Sequence, residues 1–121
     1  MAEFIRVCAT SEVAPGTMKH FEVEGYDVLV ANIDGSFYAL DNRCPHMGGD
    51  LSAGKLGGTV VTCPRHSSQF DVRDGQFIQW AQMGPLLTTL IRMLKPPRPA
   101  YAYKVKIEGD AVLVEKPPPL D

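Results

Sequence analysis

Short runs of apolar and β-branched residues, separated by turn signals, follow one another along most of this chain. The clearest run, Tyr26–Ile33, ends at Asp34-Gly35, a dipeptide that favours a tight hairpin turn before the next run. Short strands with turns at this spacing are typical of a sandwich or barrel, so we predict an all-β fold. The predicted strands are Phe4–Ala9, Met18–Val23, Tyr26–Ile33, Phe37–Leu40, Thr59–Thr62, Phe70–Arg73, Gln76–Ile78, Tyr103–Ile107 and Ala111–Glu115.

One segment departs from the strand pattern. Its apolar residues recur at the spacing of one face of an α-helix, and Pro96-Pro97 would end that helix. We therefore predict a short inserted helix near residues 85–95, packed either on its own domain or against a partner or a second copy. The residues of this apolar face, called the 83–94 stripe below, are Met83, Leu86, Leu87, Leu90, Ile91 and Leu94.

Length and composition indicate a small globular protein. The 121 residues predict one domain over 1–121, and the 45% hydrophobic and 21% charged residues are an ordinary globular mixture. The formal net charge of −2 argues against nucleic-acid binding, which normally requires a basic face. No run approaches the roughly 20 apolar residues of a membrane span, and the start of the chain is acidic by Glu3. We therefore expect a cytoplasmic protein with no membrane span.

Cysteine and histidine are concentrated in two short segments. The chain has three Cys and three His, and four of these six lie in Cys44-Pro-His46 and Cys63-Pro-Arg-His66. Each segment offers one thiolate and one imidazole, which suits a centre with one iron bound by sulfur and one by nitrogen. Structural zinc is the alternative, although its sites usually pair Cys with Cys and His with His. Gly48 and Gly49 would let the backbone approach a bridging sulfide and donate N–H groups to it.

These two segments with their flanks resemble the C-x-H…C-x-x-H signature of Rieske-type [2Fe-2S] proteins, especially the soluble ferredoxins of bacterial oxygenases. Gly84-Pro85 resembles the start of the proline-containing loop that covers the cluster in this family, and 103–114 resembles its closing hairpin. The resemblance implies an antiparallel β-sandwich or barrel with a small cluster-binding subdomain at approximately 42–85. It also implies one [2Fe-2S] cluster per chain.

The resemblance implies that the four ligands are divided between the two irons of the cluster. Cys44 and Cys63 would bind the inner iron as thiolates, and His46 and His66 would bind the outer iron, which takes the electron. Because a neutral imidazole donates less charge than a thiolate, the reduction potential of such clusters lies at roughly −150 to +300 mV, above the plant-type value.

Some features of the high-potential members of this family are missing here. Those members place a Ser and a Tyr hydroxyl near the second ligand loop; Ser68 matches the former, but Phe70 stands at the Tyr position. Members from membrane complexes also join the loops by a disulfide, and Gly49 and Arg65 occupy those positions. We therefore expect a potential in the lower half of the range and a reducing compartment. The third cysteine, Cys8, is predicted to be a buried strand residue.

The residues that are left over constrain the function. Only His20 remains besides the two predicted ligands, so a mononuclear iron site of two His and a carboxylate cannot form, and no Gly-x-Gly-x-x-Gly fingerprint occurs. We interpret His20 as a structural residue and predict an electron carrier, not an enzyme. The resemblance implies a flavin reductase as donor and a terminal oxygenase as acceptor.

Two other functions remain open from the sequence. One is a Rieske-like small subunit of a larger redox enzyme, such as assimilatory nitrite reductase. The other is a redox-sensing or iron-sensing interaction module. The 83–94 stripe would serve such a module as a docking face, and self-association through the same stripe is a further expectation.

Overall fold

The structure, a computed structural model, describes residues 3–43, 50–64, 68–79, 86, 90 and 100–116. Within these ranges the chain forms eleven β-strands and two short 3-10 turns, Thr10–Glu12 and Leu51–Ala53. The strands are β1 (Phe4–Ala9), β2 (Thr17–Val23), β3 (Tyr26–Ile33), β4 (Ser36–Asp41), β5 (Lys55–Gly57), β6 (Val60–Thr62), β7 (Gln69–Asp71), β8 (Phe77–Gln79), β9 (Ala102–Tyr103), β10 (Val105–Glu108) and β11 (Ala111–Glu115).

The described strands form three antiparallel sheets. The first sheet has the order β1-β11-β10, the second β2-β3-β4-β9, and the third β5-β6-β7-β8. All strand pairs within them are antiparallel, which confirms the predicted fold class. The third sheet lies inside the predicted cluster-binding subdomain of 42–85. The single domain and the bounds of that subdomain remain predictions.

Strand β3 is buried on both faces and lies at the centre of the fold. Residues 28–32 are all buried, and successive side chains of a strand point to opposite sides. One set therefore packs with the third sheet and the other with the first sheet. The core shared with the third sheet, called the first core, contains Leu29, Ala31, Leu40, Leu51, Val61, Cys63, Phe70, Val72 and Ala100. The second core contains Ile5, Val7, Cys8, Val13, Val28, Val30, Ala39, Tyr103, Val112 and Val114.

The predicted hairpin after β3 is confirmed by its backbone. Asp34 and Gly35 have φ angles of 52° and 92°, the two positive values that a type I′ turn requires. The side chain of Asn32 supports the turn, because its Oδ1 accepts a 2.8 Å hydrogen bond from the N–H of Gly35. The hairpin between β2 and β3 has the same pair of positive φ angles.

Two strand predictions were wrong in detail. The predicted strand Tyr103–Ile107 is divided into β9 and β10, because β9 pairs with β4 in the second sheet whereas β10 pairs with β11 in the first. The chain changes sheets at Lys104, and periodicity along one segment does not report such a change. Strand β5 was not predicted, since its three residues Lys-Leu-Gly carry no β-branched side chain.

The inserted helix is described at two positions only. Leu86 and Leu90 are both α-helical, and the other residues of 80–99 lie outside the described ranges. Their side chains are 84% and 50% exposed, so these two leucines do not pack into the cores. Ala100 is buried in the first core, and its N–H donates a 2.7 Å hydrogen bond to the carbonyl of Gly75. No helix among the described residues is long and apolar enough to cross a membrane.

Candidate metal centre

The structure describes one of the four predicted ligands, Cys63, and one of the predicted supporting residues, Ser68. Among the described residues, no three His, Cys, Asp or Glu side chains are grouped so that they could bind a metal ion. The convergence of the four ligands therefore stays a prediction. The predicted site residues that lie outside the described ranges are Cys44, His46, Gly48, Gly49, His66 and Pro85.

The second ligand loop is closed at its base by the backbone. Cys63 directly follows β6 and is buried in the first core. Its N–H donates a 2.7 Å hydrogen bond to the carbonyl of Ser68, and one residue further out Thr62 pairs with Gln69 in the β6–β7 ladder. Cys63 and Ser68, the two ends of the segment that contains His66, are thus held together.

The first ligand loop is closed in a similar way. Arg43 and Asp50 form an antiparallel β-bridge on either side of residues 44–49. The N–H of Leu51 donates a 2.9 Å hydrogen bond to the carbonyl of Asn42, which extends the closure by one residue on each side. Leu51 is fully buried in the first core, the same core that contains Cys63. Both ligand loops therefore rise from one hydrophobic cluster.

Gly54 brings the bases of the two loops into direct contact. A Cβ at this position would clash with the carbonyl oxygen of Thr62 and would lie 3.1 Å from the ring of Pro64. The backbone after the first loop therefore packs directly against the strand that leads into the second. The pairing of Lys55 with Thr62 continues this contact into the β5–β6 ladder. Two ligand loops held side by side are what a shared metal centre requires.

The hydroxyl of Ser68 is buried and lacks a partner among the residues that the structure describes. The residue is 1% exposed, and its Oγ makes no hydrogen bond within the described part of the chain. Leaving a buried polar group unsatisfied costs about 1–3 kcal/mol, so native proteins nearly always provide a partner. A free donor beside Cys63 fits an acceptor such as a cluster sulfide or a ligand thiolate. Phe70, at the position where a Tyr hydroxyl was considered, is fully buried and supplies no donor.

The remaining cysteine and histidine have local explanations. Cys8 is buried in the second core, away from Cys63 in the first, and burial raises the pKa of its thiol to about 11. This confirms the prediction of a buried strand residue.

The Nδ1 of His20 forms a 2.8 Å hydrogen bond with the carboxylate of Asp27, on the neighbouring strand. That contact raises the pKa of the His20 imidazole above its usual value.

Sequence reasoning missed one residue next to the predicted site. Asn42 is 1% exposed and precedes Cys44 by two positions. Its amide lies between the carboxylates of Asp27 and Asp50. The hydroxyl of Ser52 and the amide of Asn42 both donate to Asp50, and they hold the pKa of that carboxyl below its usual range. No sequence pattern marks these residues, because an Asp-Asn pair before a loop is ordinarily a turn signal.

Comparison with known proteins gives consistent results. The family model described as the Rieske [2Fe-2S] domain matches residues 3–95. The chain is 34% identical over 110 residues to the ferredoxin component of biphenyl 2,3-dioxygenase of Rhodococcus jostii (strain RHA1), covering 91% of this chain and 90% of that protein. Among solved structures, the ferredoxin of carbazole 1,9a-dioxygenase from Nocardioides aromaticivorans IC177 is similar with a TM-score of 0.74 and 29% identity, covering 92% of this chain and 95% of that one. A complex of reduced oxygenase and oxidized ferredoxin in carbazole 1,9a-dioxygenase contains a chain with a TM-score of 0.74 and 27% identity, covering 98% and 97%.

Proposed function

We propose that this chain, which belongs to the Rieske [2Fe-2S] domain family, delivers single electrons to a terminal oxygenase. The family match and the related ferredoxin components confirm the predicted resemblance, the [2Fe-2S] cofactor and the role of a one-electron carrier. The named relatives are ferredoxin components of oxygenase systems, and one similar chain was solved in complex with an oxygenase. These names favour the carrier over a nitrite reductase subunit or a sensing module, and they support a role in electron transfer rather than in catalysis.

We assign the cluster to the four residues of the two ligand loops. Cys44 and Cys63 would bind one iron as thiolates, and His46 and His66 would bind the other as neutral imidazoles. When bound, the cluster supplies reversible one-electron transfer. The protein excludes water from the bases of the two loops, where Cys63 is buried. The iron bound by His46 and His66 would face the redox partner.

The match to the Rieske [2Fe-2S] domain is the observation that carries this assignment, and the buried hydroxyl of Ser68 supports it. A structural zinc site would offer this hydroxyl only ligand thiolates as acceptors. A [2Fe-2S] cluster adds two bridging sulfides to the ligand thiolates, and hydrogen bonds to such sulfurs raise the potential. Because Phe70 leaves Ser68 as the one hydroxyl of the expected pair, the potential should lie in the lower half of roughly −150 to +300 mV.

The partners and the compartment complete the proposal. A flavin reductase is the electron donor that the resemblance to oxygenase ferredoxins implies. This chain has no nucleotide-binding fingerprint of its own, so it is not itself that reductase. Exposed Leu86 and Leu90 support the 83–94 stripe as a surface for self-association. A cytoplasmic location is supported by the Gly and Arg residues found at the positions of the loop disulfide, Gly49 and Arg65.

The proposal is tested on purified protein. We expect two irons and two acid-labile sulfides per chain and, after reduction, an EPR signal with the low average g value of histidine-bound clusters. Mixing the reduced protein with an oxidised terminal oxygenase should reoxidise it in a rapid phase that depends on oxygenase concentration. Colourless protein with one zinc per chain would contradict the assignment of the cluster.

A further inference from the structure

Asn42 uses both side-chain N–H donors and its side-chain oxygen in hydrogen bonds at the base of the first ligand loop. Its Nδ2 donates to Asp27 Oδ2 at 3.0 Å and to Asp50 Oδ1 at 2.5 Å. Its Oδ1 accepts a 2.8 Å hydrogen bond from the N–H of Ser52. The backbone adds two more bonds, since the N–H donates to the carbonyl of Asp27 at 2.9 Å and the carbonyl accepts from Leu51 at 2.9 Å.

These bonds join the two ends of the loop that carries two of the predicted ligands. Asn42 lies two residues before Cys44, and Asp50 lies four residues after His46. The carboxylate of Asp50 is itself held, because the hydroxyl of Ser52 donates to its Oδ1 at 2.6 Å. Any displacement of one end of the loop must therefore break bonds to the other end.

The same residue ties the loop to the rigid centre of the fold. Asp27 belongs to β3, which pairs with β2 over residues 26–32 and with β4 over residues 28–33. Two hydrogen bonds connect the loop base to this strand. The side-chain amide of Asn42 donates to the carboxylate of Asp27, and the backbone N–H of Asn42 donates to the carbonyl of Asp27. The base of the loop is thus fixed to the central sheet through Asn42 and Asp27.

Only an asparagine side chain meets the demands of this position. Two donors must face two carboxylates, and one acceptor must face the N–H of Ser52, all at a buried site. An aspartate here would place a third carboxylate between the other two and supply no donor. A leucine of similar volume would leave the Asp27 and Asp50 carboxylates and the Ser52 amide without these bonds.

We propose that Asn42 is a positioning residue, which sets the orientation of the first ligand loop and, through it, the electronic environment of the bound metal. This inference rests on the proposed function for the identity of the metal centre. It extends that function by assigning control of the histidine-bound iron to a residue outside the ligand pattern.

The test compares Asn42→Leu with a matched control, Asn32→Leu. Asn32 is also a buried asparagine, although it lies within β3. Its side chain donates to the carbonyl of Val13 and accepts from the N–H of Gly35, both at 2.8 Å. It supports a hairpin turn and no ligand loop. The holoprotein of each variant is examined by EPR of the reduced state, by the rate of metal loss to a chelator, and by hydrogen exchange of single amides.

We expect Asn42→Leu to shift and broaden the EPR g values and to lose metal about tenfold faster than the parent. The Ser52 amide should exchange faster in this variant, and the Gly35 amide in Asn32→Leu. The control should lower the melting temperature while its g values and metal-loss rate stay at the parental level. Asp50→Ala keeps Asn42 but removes the carboxylate that Asn42 contacts at the other end of the loop. This variant should repeat the effects of Asn42→Leu, and it takes the place of Asn42→Leu in the test if Asn42→Leu does not fold.

Parental g values and parental metal loss in both Asn42→Leu and Asp50→Ala would overturn the inference. Equal acceleration of metal loss by Asn32→Leu would also overturn it, because the effect would then be one of general stability. Failure of the proposed function would give a different result, because the parent protein would then contain zinc. In that case the rate of zinc loss from the same variants would still test whether Asn42 positions the loop.

Discussion

Cys63 and Ser68 are joined by a 2.7 Å hydrogen bond from the N–H of the cysteine to the carbonyl of the serine. This bond closes the second ligand loop through the backbone alone. The hydroxyl of Ser68 is therefore not needed for the closure, and it is the group that lacks a partner among the described residues. Its removal should change the metal centre with little change in the loop.

We predict that Ser68→Ala lowers the reduction potential. A hydrogen bond to a cluster sulfur stabilises the reduced, more negative state more than the oxidised state. A difference of about 1 kcal/mol between these two stabilisation energies corresponds to about 40 mV for one electron. The potential is measured by a redox titration monitored in the visible spectrum. Ser36→Ala, on an exposed serine at the start of β4, is the matched control and should leave the potential unchanged. Equal potentials in parent and Ser68→Ala would show that the hydroxyl does not reach the cluster.

Exchanging a predicted histidine ligand for cysteine should lower the reduction potential much further than Ser68→Ala. In His46→Cys or His66→Cys a charged thiolate replaces a neutral imidazole, so the potential should fall by on the order of 100 mV toward the plant-type value of about −400 mV. His20→Cys serves as the control with a cysteine added elsewhere, and it should keep the parental potential. Cys63→Ser should lose the cluster. A His66→Cys protein with an intact cluster and the parental potential would argue against the ligand assignment.

Gly54→Ala should destabilise the contact between the two ligand loops. The added methyl group meets the carbonyl of Thr62, which cannot move without disturbing the β6 strand before Cys63. Overpacking of this kind costs about 1–3 kcal/mol, which lowers the melting temperature by several degrees. Gly57→Ala is the matched control, since a Cβ there meets nothing within 4 Å. The two melting curves are compared directly, and equal midpoints would refute the close approach.

The contact between His20 and Asp27 should make stability depend slightly on pH. The hydrogen bond to Asp27 raises the pKa of His20 in the folded state above about 6.5. The stabilisation is therefore complete below about pH 6.5 and is lost as the pH rises through the folded-state pKa. Both side chains are about half exposed, at 48% and 43%, so the effect should be about 0.5 kcal/mol.

Denaturant unfolding of the parent and His20→Gln, at about pH 5.5 and about pH 8.5, measures this contribution. The difference between the two proteins should be present at the lower pH and vanish at the higher one. A difference that is larger at the higher pH would show that the imidazole interacts in its neutral form.

Leu90→Asp tests the 83–94 stripe as a surface for self-association. Because Leu90 is half exposed, the substitution should leave the free energy of unfolding within about 0.5 kcal/mol of the parental value, as for other surface changes. If the stripe joins two copies, sedimentation should show the parent as a dimer at high concentration and the variant as a monomer. Ile107→Asp is the control, since Ile107 is also an exposed apolar residue but lies on β10, outside the stripe. This variant should leave the association unchanged. A parent that stays monomeric at every concentration would rule out self-association.

The sequence by itself determined most of the strands and the kind of chemistry at the site. Strand β3 and its hairpin follow from β-branched residues and from Asp34-Gly35, because alternation and turn preferences act over a few neighbouring residues. The Cys and His pairs identify the metal chemistry for a similar reason, since thiolate and imidazole keep their donor properties in any fold. Both kinds of information are local, and both can be taken directly from the order of the residues.

Only the tertiary structure decided which distant residues support the ligand loops. Asn42 connects Asp27 to Asp50, and Gly54 approaches Thr62, through contacts between segments whose register is set by the packing of three sheets. The division of the predicted strand at Lys104 has the same origin, because the partner of each half belongs to a different sheet. Such contacts depend on where the chain returns to itself in space, and no periodicity along the chain encodes that position.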